Sequence, residues 1–186
     1  LALGIDGAAH RGALDVNGIT VGVLGTGVDC IYPRRHEALA EQIVASGGAI
    51  VSEYSLGTEP HAGDFPRRNR VITGLSMGTL VVEAAIRSGS LISARLALEQ
   101  DREVYAIPGS IHSPVSRGCH ALIKQGADLV ESAADIVDQL QGPLAYQAEL
   151  AFTDEALEPK DELVGISEGG AKVILAMGFD FCSLDQ

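Results

Sequence analysis

The sequence predicts an α/β fold, a mostly parallel sheet with helices on both faces, and three observations predict it. Short apolar, β-branched runs alternate with helical stretches up to about residue 140. Small-residue turns (Gly25-Thr26-Gly27, Ser88-Gly89-Ser90, Pro108-Gly109-Ser110) follow such runs where the chain reverses, which is where open α/β sheets collect ligands. A 46% apolar content over 186 residues suffices for one substantial core.

Taken in order, Gly4-Ile5-Asp6 opens a helix with Asp6 as N-cap and Ala8, Ala9, Ala13 and Leu14 as helix formers. His10 and Arg11 lie on it, facing either solvent and sheet or a ligand. A doubly wound sheet normally starts with strand, phosphate turn and helix. The spacing therefore predicts that the first strand and its turn are missing. Residues 19–24 (ITVGVL) form a strand, and Gly25-Thr26-Gly27 lacks the third glycine of a dinucleotide fingerprint. Tyr32, Arg34, Arg35 and His36 then lead into a helix at about 37–46; they offer charge beside a stackable ring, or simply a basic helix entry. Gly47-Gly48 ends that helix and residues 49–52 make the next strand, followed by a long polar loop to Gly63.

The stretch from Asp64 to Leu98 carries the chemistry. Asp64 is expected as N-cap, with Pro66 near the first helical position and Val71, Ile72 and Leu75 at helical spacing. Arg67, Arg68 and Arg70 then fall in the first turns, where the helix dipole disfavours cations, and an anionic ligand explains them. Arg70 has an alternative role as partner of Glu83 or Glu53, and Phe65 is either a hydrophobic staple or a stacking platform. Residues 79–85 (TLVVEAA) read as a buried parallel strand. Ser88, Gly89 and Ser90 then turn into a helix over 91–100, either cradling a phosphate or making an ordinary connection. A strand (103–107), a helix (120–125), a short strand (127–130) and a helix (133–140) complete the domain. Residues 141–166 read as an acidic linker, and 167–186 as a truncated helical segment with an N-capped second helix starting at Ser183.

Charge limits the partners. The formal net charge is −12, which excludes a uniformly basic surface. Residues 1–142 hold 11 basic and 16 acidic side chains against 2 and 9 in residues 143–186, so a local basic groove on the main domain remains open. Cys30, Cys119 and Cys182 have neither disulfide nor zinc spacing, and the five histidines form no tight ligand set; neither metal nor cofactor is expected. No run reaches the ~18 to 20 apolar residues of a membrane span. With no leader in view, a cytoplasmic protein is expected.

Several motifs occur together here: GIDGAAHRGAL at Gly4 to Leu14, LGTG at Leu24 to Gly27, YP at Tyr32-Pro33, SE at Ser52-Glu53, FPRRNR at Phe65 to Arg70, VEA at Val82 to Ala84, SGSL at Ser88 to Leu91, and PG at Pro108-Gly109 followed by GCHALIKQGA from Gly118 to Ala127. In order and spacing this ensemble resembles the DNA-processing protein A family (DprA, also called Smf) across about residues 1–140. The C-terminal ILAMGFDFCSLDQ resembles the opening of that family's winged-helix domain. The resemblance implies an extended Rossmann-like domain that binds single-stranded DNA and, as a homodimer, loads the RecA recombinase during natural transformation, without catalysis. It implies a DNA pocket lined by Arg34, Phe65, Arg67, Arg68, Arg70 and the turn Ser88, Gly89, Ser90. The competing reading is a nucleoside-monophosphate phosphoribohydrolase on the same fold. Its P-G-G-x-G-T-x-x-E motif is broken here, where Ser76-Met77-Gly78-Thr79 is followed by Glu83 one residue late.

Overall fold

Helix ends direct the chain in the computed structural model, which describes residues 1–141; the expected linker beyond that point and the helical segment at 167–186 lie outside the described residues. Helices and strands alternate as α1 (Ile5–Asp15), β1 (Val21–Val23), α2 (Glu37–Ala45), β2 (Ala49–Val51), α3 (Asp64–Gly74), β3 (Gly78–Val81), α4 (Gly89–Glu99), β4 (Glu103–Ala106), α5 (Arg117–Lys124) and β5 (Asp128–Leu129). A last helix, α6, covers 133–141. Short 3-10 turns, Arg34–His36 and Pro114–Ser116, lead into α2 and α5.

Four helices stop the same way. α1, α2, α4 and α5 are followed by a residue with positive φ: Asn17 (55°), Gly47 (84°), Asp101 (54°) and Gly126 (104°). The next amide then returns to a carbonyl five residues back: Gly18 to Ala13 (2.7 Å), Gly48 to Ile43 (2.9 Å), Arg102 to Ala97 (2.9 Å) and Ala127 to Leu122 (3.0 Å). This closure satisfies orphan carbonyls and aims the chain at the following strand. α6 begins with a reciprocal cap. The Asp135 carboxylate accepts from the Glu131 and Ser132 amides (2.8 and 2.9 Å), which hold its pKa below the usual carboxylate value.

Two expected N-caps are corrected. Gly4, at φ 88°, turns the chain into α1 before Asp6, which falls in the first turn. Asp64 is the first residue of α3 and caps nothing; its amide already has a partner in the His61 carbonyl (3.0 Å), so the preceding turn does the capping. α4, by contrast, starts on a side-chain cap, Ser88 Oγ accepting from the Ser90 amide at 3.2 Å.

Every strand pairing is parallel, as the alternation requires: β1 with β2, β3 with β4, β4 with β5. The described strands form two sheets, β1-β2 and β3-β4-β5, where a single sheet is expected from the sequence. β3 also stops four residues short of the predicted Ala85. Beyond Val81 the backbone leaves the ladder. The Ala84 amide bonds to the Val115 carbonyl and the Ala84 carbonyl accepts from Gly118, both at 2.7 Å, so the turn before α5 and the first residues of that helix take the place of a neighbouring strand.

Two apolar clusters hold the halves. Leu1, Leu24, Leu39, Ala40 and Ile43 pack under β1 and α2; Val81, Ala84, Ala94, Ala97, Val104, Ala106, Cys119 and Leu122 pack around β3 and β4. α3 is fastened to the end of α4 by polar contacts. The fully buried Thr73 hydroxyl donates to Gln100 Oε1 (2.6 Å), and Gln100 Nε2 donates to the Arg70 carbonyl (3.0 Å).

Candidate functional site

The carboxyl end of β1 builds the site. Leu24 to Gly27 are all buried, and the turn they make is tied down twice: Thr26 Oγ1 donates to the Cys30 carbonyl (2.7 Å) and Ser52 Oγ donates to the Thr26 carbonyl (2.6 Å). At Gly25 a Cβ would lie 3.0 Å from Phe65 Cδ1, so glycine here lets the ring rest on the turn. The other side of Phe65 meets Tyr32, ring centroids 5.5 Å apart and planes tilted by 31°. Tyr32 remains 46% exposed. Phe65 thus anchors α3 to β1 and at the same time supports an aromatic ring open to solvent.

Arg34 and Arg35 follow directly after Tyr32-Pro33, and both are exposed. They line, with Tyr32, a cavity of about 560 Å³ on whose wall Glu59 supplies a carboxylate. Arg67 is exposed on α3. Among the described residues neither Arg34 nor Arg67 is in an ion pair. A separate cavity of about 490 Å³ beside α2 carries Asp29, Glu37 and Glu41 on its lining and repels a polyanion.

The remaining predicted site residues are placed differently. Arg68 is turned inward, 8% exposed, with Nη1 donating to the Val23 carbonyl of β1 and Nε to Asn69 Oδ1 (3.2 Å). Burial works against its charge, lowering its pKa, while Asp6 and Tyr54 act the other way. It stands one turn before Val71 and Ile72, on the stripe that faces the sheet, a signal present in the spacing. Arg70 pairs with Glu53 (2.5 Å), one of the two partners left open above, with the two side chains 57% and 47% exposed. Such an open pair exchanges readily for another anion. Ser88, Gly89 and Ser90 form the cap of α4, the two serine hydroxyls bonded to each other at 3.1 Å, and none of the three lines the cavity beside Tyr32.

Because Arg68 satisfies a strand carbonyl, Arg68→Ala is expected to lower stability by about 1–3 kcal/mol in a urea titration, the cost of an orphaned buried acceptor, while leaving any salt dependence of anion binding unchanged.

The model of the DNA recombination-mediator protein A family matches residues 1–141. The chain belongs to that family. Protein Smf of Escherichia coli K12 is 59% identical over 141 residues, covering 76% of this chain and 38% of the relative. DNA processing protein DprA of Streptococcus pneumoniae is 47% identical over 141 residues, covering 76% of this chain and 50% of the relative. This member of the DNA recombination-mediator protein A family thus spans about two fifths to half the length of these two relatives. The X-ray structure of the S. pneumoniae protein superposes with a TM-score of 0.67 at 47% identity, over 73% of this chain and 47% of that one. DNA processing protein A from Helicobacter pylori, described for its single-stranded DNA binding mode, superposes with a TM-score of 0.65 at 30% identity, over 76% of this chain and 64% of that one. The extended Rossmann-like fold expected from the motifs is the fold of the described residues. No helix among them is long and apolar enough to cross a membrane, and no cluster of His, Cys, Asp or Glu among them is suited to a metal ion.

Proposed function

We propose that this domain binds single-stranded DNA without altering it chemically. Arg34 and Arg67 hold phosphates, Arg70 joins them by exchanging Glu53 for a phosphate, and a base stacks on Tyr32 over Phe65. The turn Ser88, Gly89, Ser90 lines the strand further along, and Arg68 supports the site from within. The observation that carries this reading is the aromatic pair at the carboxyl end of β1, with Arg34 and Arg35, in no ion pair among the described residues, on the cavity beside it. Stacking on an exposed ring is sequence-tolerant, and phosphate contacts carry no base information, so binding is expected to be unspecific in sequence and sensitive to salt. The H. pylori relative, described for its single-stranded DNA binding mode, supports single-stranded DNA as the ligand.

Within the whole protein, this reading makes residues 1–140 the DNA-binding part. A cytoplasmic homodimer that protects incoming DNA and loads RecA onto it in natural transformation is the corresponding cellular role.

The test is a fluorescence-anisotropy titration of labelled oligo-dT at several salt concentrations. Arg34→Ala and Arg67→Ala are each expected to weaken binding about tenfold at low salt. Each is also expected to reduce the slope of log K against log salt by about 0.7, the value for one phosphate contact on a single strand. Unchanged affinity and slope in both variants would overturn the assignment. Release of free base from AMP by the same protein would instead favour the phosphoribohydrolase reading.

A further inference from the structure

The arginine cavity beside Tyr32 shares a wall with another. A second cavity, of about 640 Å³, lies between α1 and the 3-10 turn that precedes α2, and Arg35 and Leu3 line both. Arg11 and Asp15 of α1 line its far side. Both volumes fall within the ~300–1,000 Å³ typical of ligand sites.

Local geometry explains why the two meet. In a 3-10 turn successive side chains point about a third of a revolution apart, so Arg34 and Arg35, adjacent in sequence, diverge. Arg34 lines only the first cavity, whereas Arg35 lies on the wall common to both. His36, the third residue of the turn, is buried, with Nδ1 2.7 Å from the Leu1 carbonyl. α1 comes close to it because its one buried residue is Gly7. A Cβ there would stand 2.7 Å from His36 Cε1 and 3.2 Å from Arg11 Nη1, so the same gap that admits His36 brings the Arg11 guanidinium against the arginine turn. Arg11 Nη1 donates to the Gly7 carbonyl (3.1 Å), which fixes the head of the side chain and leaves its other donors free.

Charge points to the occupant. Arg11, Arg34 and Arg35 are all exposed, and among the described residues none of the three is in an ion pair. Against them the two cavities present Glu59 on one side and Asp15 on the other. Three guanidinium groups in no ion pair among the described residues, on two cavities that share Arg35, suit a chain of phosphates better than a single anion.

We propose that Arg11 and Arg35 form a second phosphate subsite, which takes the phosphodiester next to the nucleotide stacked on Tyr32 and directs the strand across the face of α1. The subsite rests on the single-stranded DNA reading above. It adds affinity without sequence preference, because guanidinium groups on a backbone read no bases.

The experiment is oligo-dT anisotropy at several salt concentrations on the 186-residue chain, comparing the parent with Arg11→Gln, Arg11→Gln plus Arg35→Gln, and Arg11→Lys plus Arg35→Lys. Binding of a 20-mer is expected to fall about threefold in the single glutamine variant and about tenfold in the double. The salt slope is expected to drop by about 0.7 and about 1.4 respectively, and the lysine pair to restore it. Circular dichroism melting of each variant shows that the fold is kept. A folded glutamine pair that binds the 20-mer with the parent's affinity and slope would overturn the subsite while leaving the Tyr32 site intact. A parent chain with no affinity for oligo-dT would overturn the DNA reading and the subsite with it.

Discussion

Gly48→Ala is expected to destabilise the fold by about 3 kcal/mol, the upper end of what overpacking a filled site costs. A Cβ at that position would lie 2.2 Å from the Thr20 carbonyl oxygen and 2.9 Å from that of Ile43. Both are backbone atoms, so no rotamer change relieves the contact. The Thr20 carbonyl is also the acceptor of the Ala49 amide (3.3 Å), the hydrogen bond that brings β2 alongside β1. Any shift that accommodates the methyl group therefore loosens the sheet edge that carries the Gly25 turn. Gly47 makes the natural control. Its φ is +84°, but nothing lies within 4 Å of its Cβ position, so Gly47→Ala meets only the left-handed backbone penalty of about 1–2 kcal/mol. Urea titrations at constant slope check the order: the midpoint falls further for position 48 than for position 47, and the reverse order contradicts the packing account.

Phe65→Ala is expected to weaken oligo-dT binding tenfold or more with no change in salt slope. A base stacked on an aromatic side chain contributes about 1–3 kcal/mol, independent of counterions. Removing Phe65 takes away the ring against which Tyr32 is tilted and opens the space beside Gly25, so the platform loses its support. This separates the aromatic part of the site from the ionic part, because Arg34→Ala lowers both affinity and slope. Anisotropy at three or more salt concentrations distinguishes them. A Phe65→Ala protein whose slope falls like an arginine variant's, with unchanged affinity at high salt, contradicts a stacking role.

Much of this arrangement is legible in the residues. The alternation of apolar runs and helical stretches gives the parallel α/β plan, Gly47-Gly48 marks the end of α2, and the position of Phe65 beside an arginine-rich helix start points to the candidate site. What is not legible depends on contacts between distant segments. Asp6 and Asp64 have the right chemistry for N-caps, yet a glycine at positive φ and a turn closed on His61 start those helices instead. Val82 to Ala85 continue the short-side-chain run of β3, but the hydrogen bonds of Ala84 go to the segment around the start of α5, which local sequence does not reveal. The three arginines of FPRRNR look equivalent in the sequence, and the structure gives them three environments: Arg67 open to solvent, Arg68 bound to a strand carbonyl, Arg70 opposite Glu53. Helical phase separates Arg68 from the other two. The glutamate's approach to Arg70 depends on a loop whose path no local rule fixes.

The hydrogen bond from Arg68 to Val23 has a colloidal consequence. Among the described residues the strands form two sheets, and the lateral border of a sheet is a template on which another chain can add. On β1 that border is occupied by a guanidinium group, which an incoming strand must displace and whose charge it must strand in a dry seam. A side chain of α3 thus occupies a backbone acceptor on the border of β1 that an incoming strand would otherwise use.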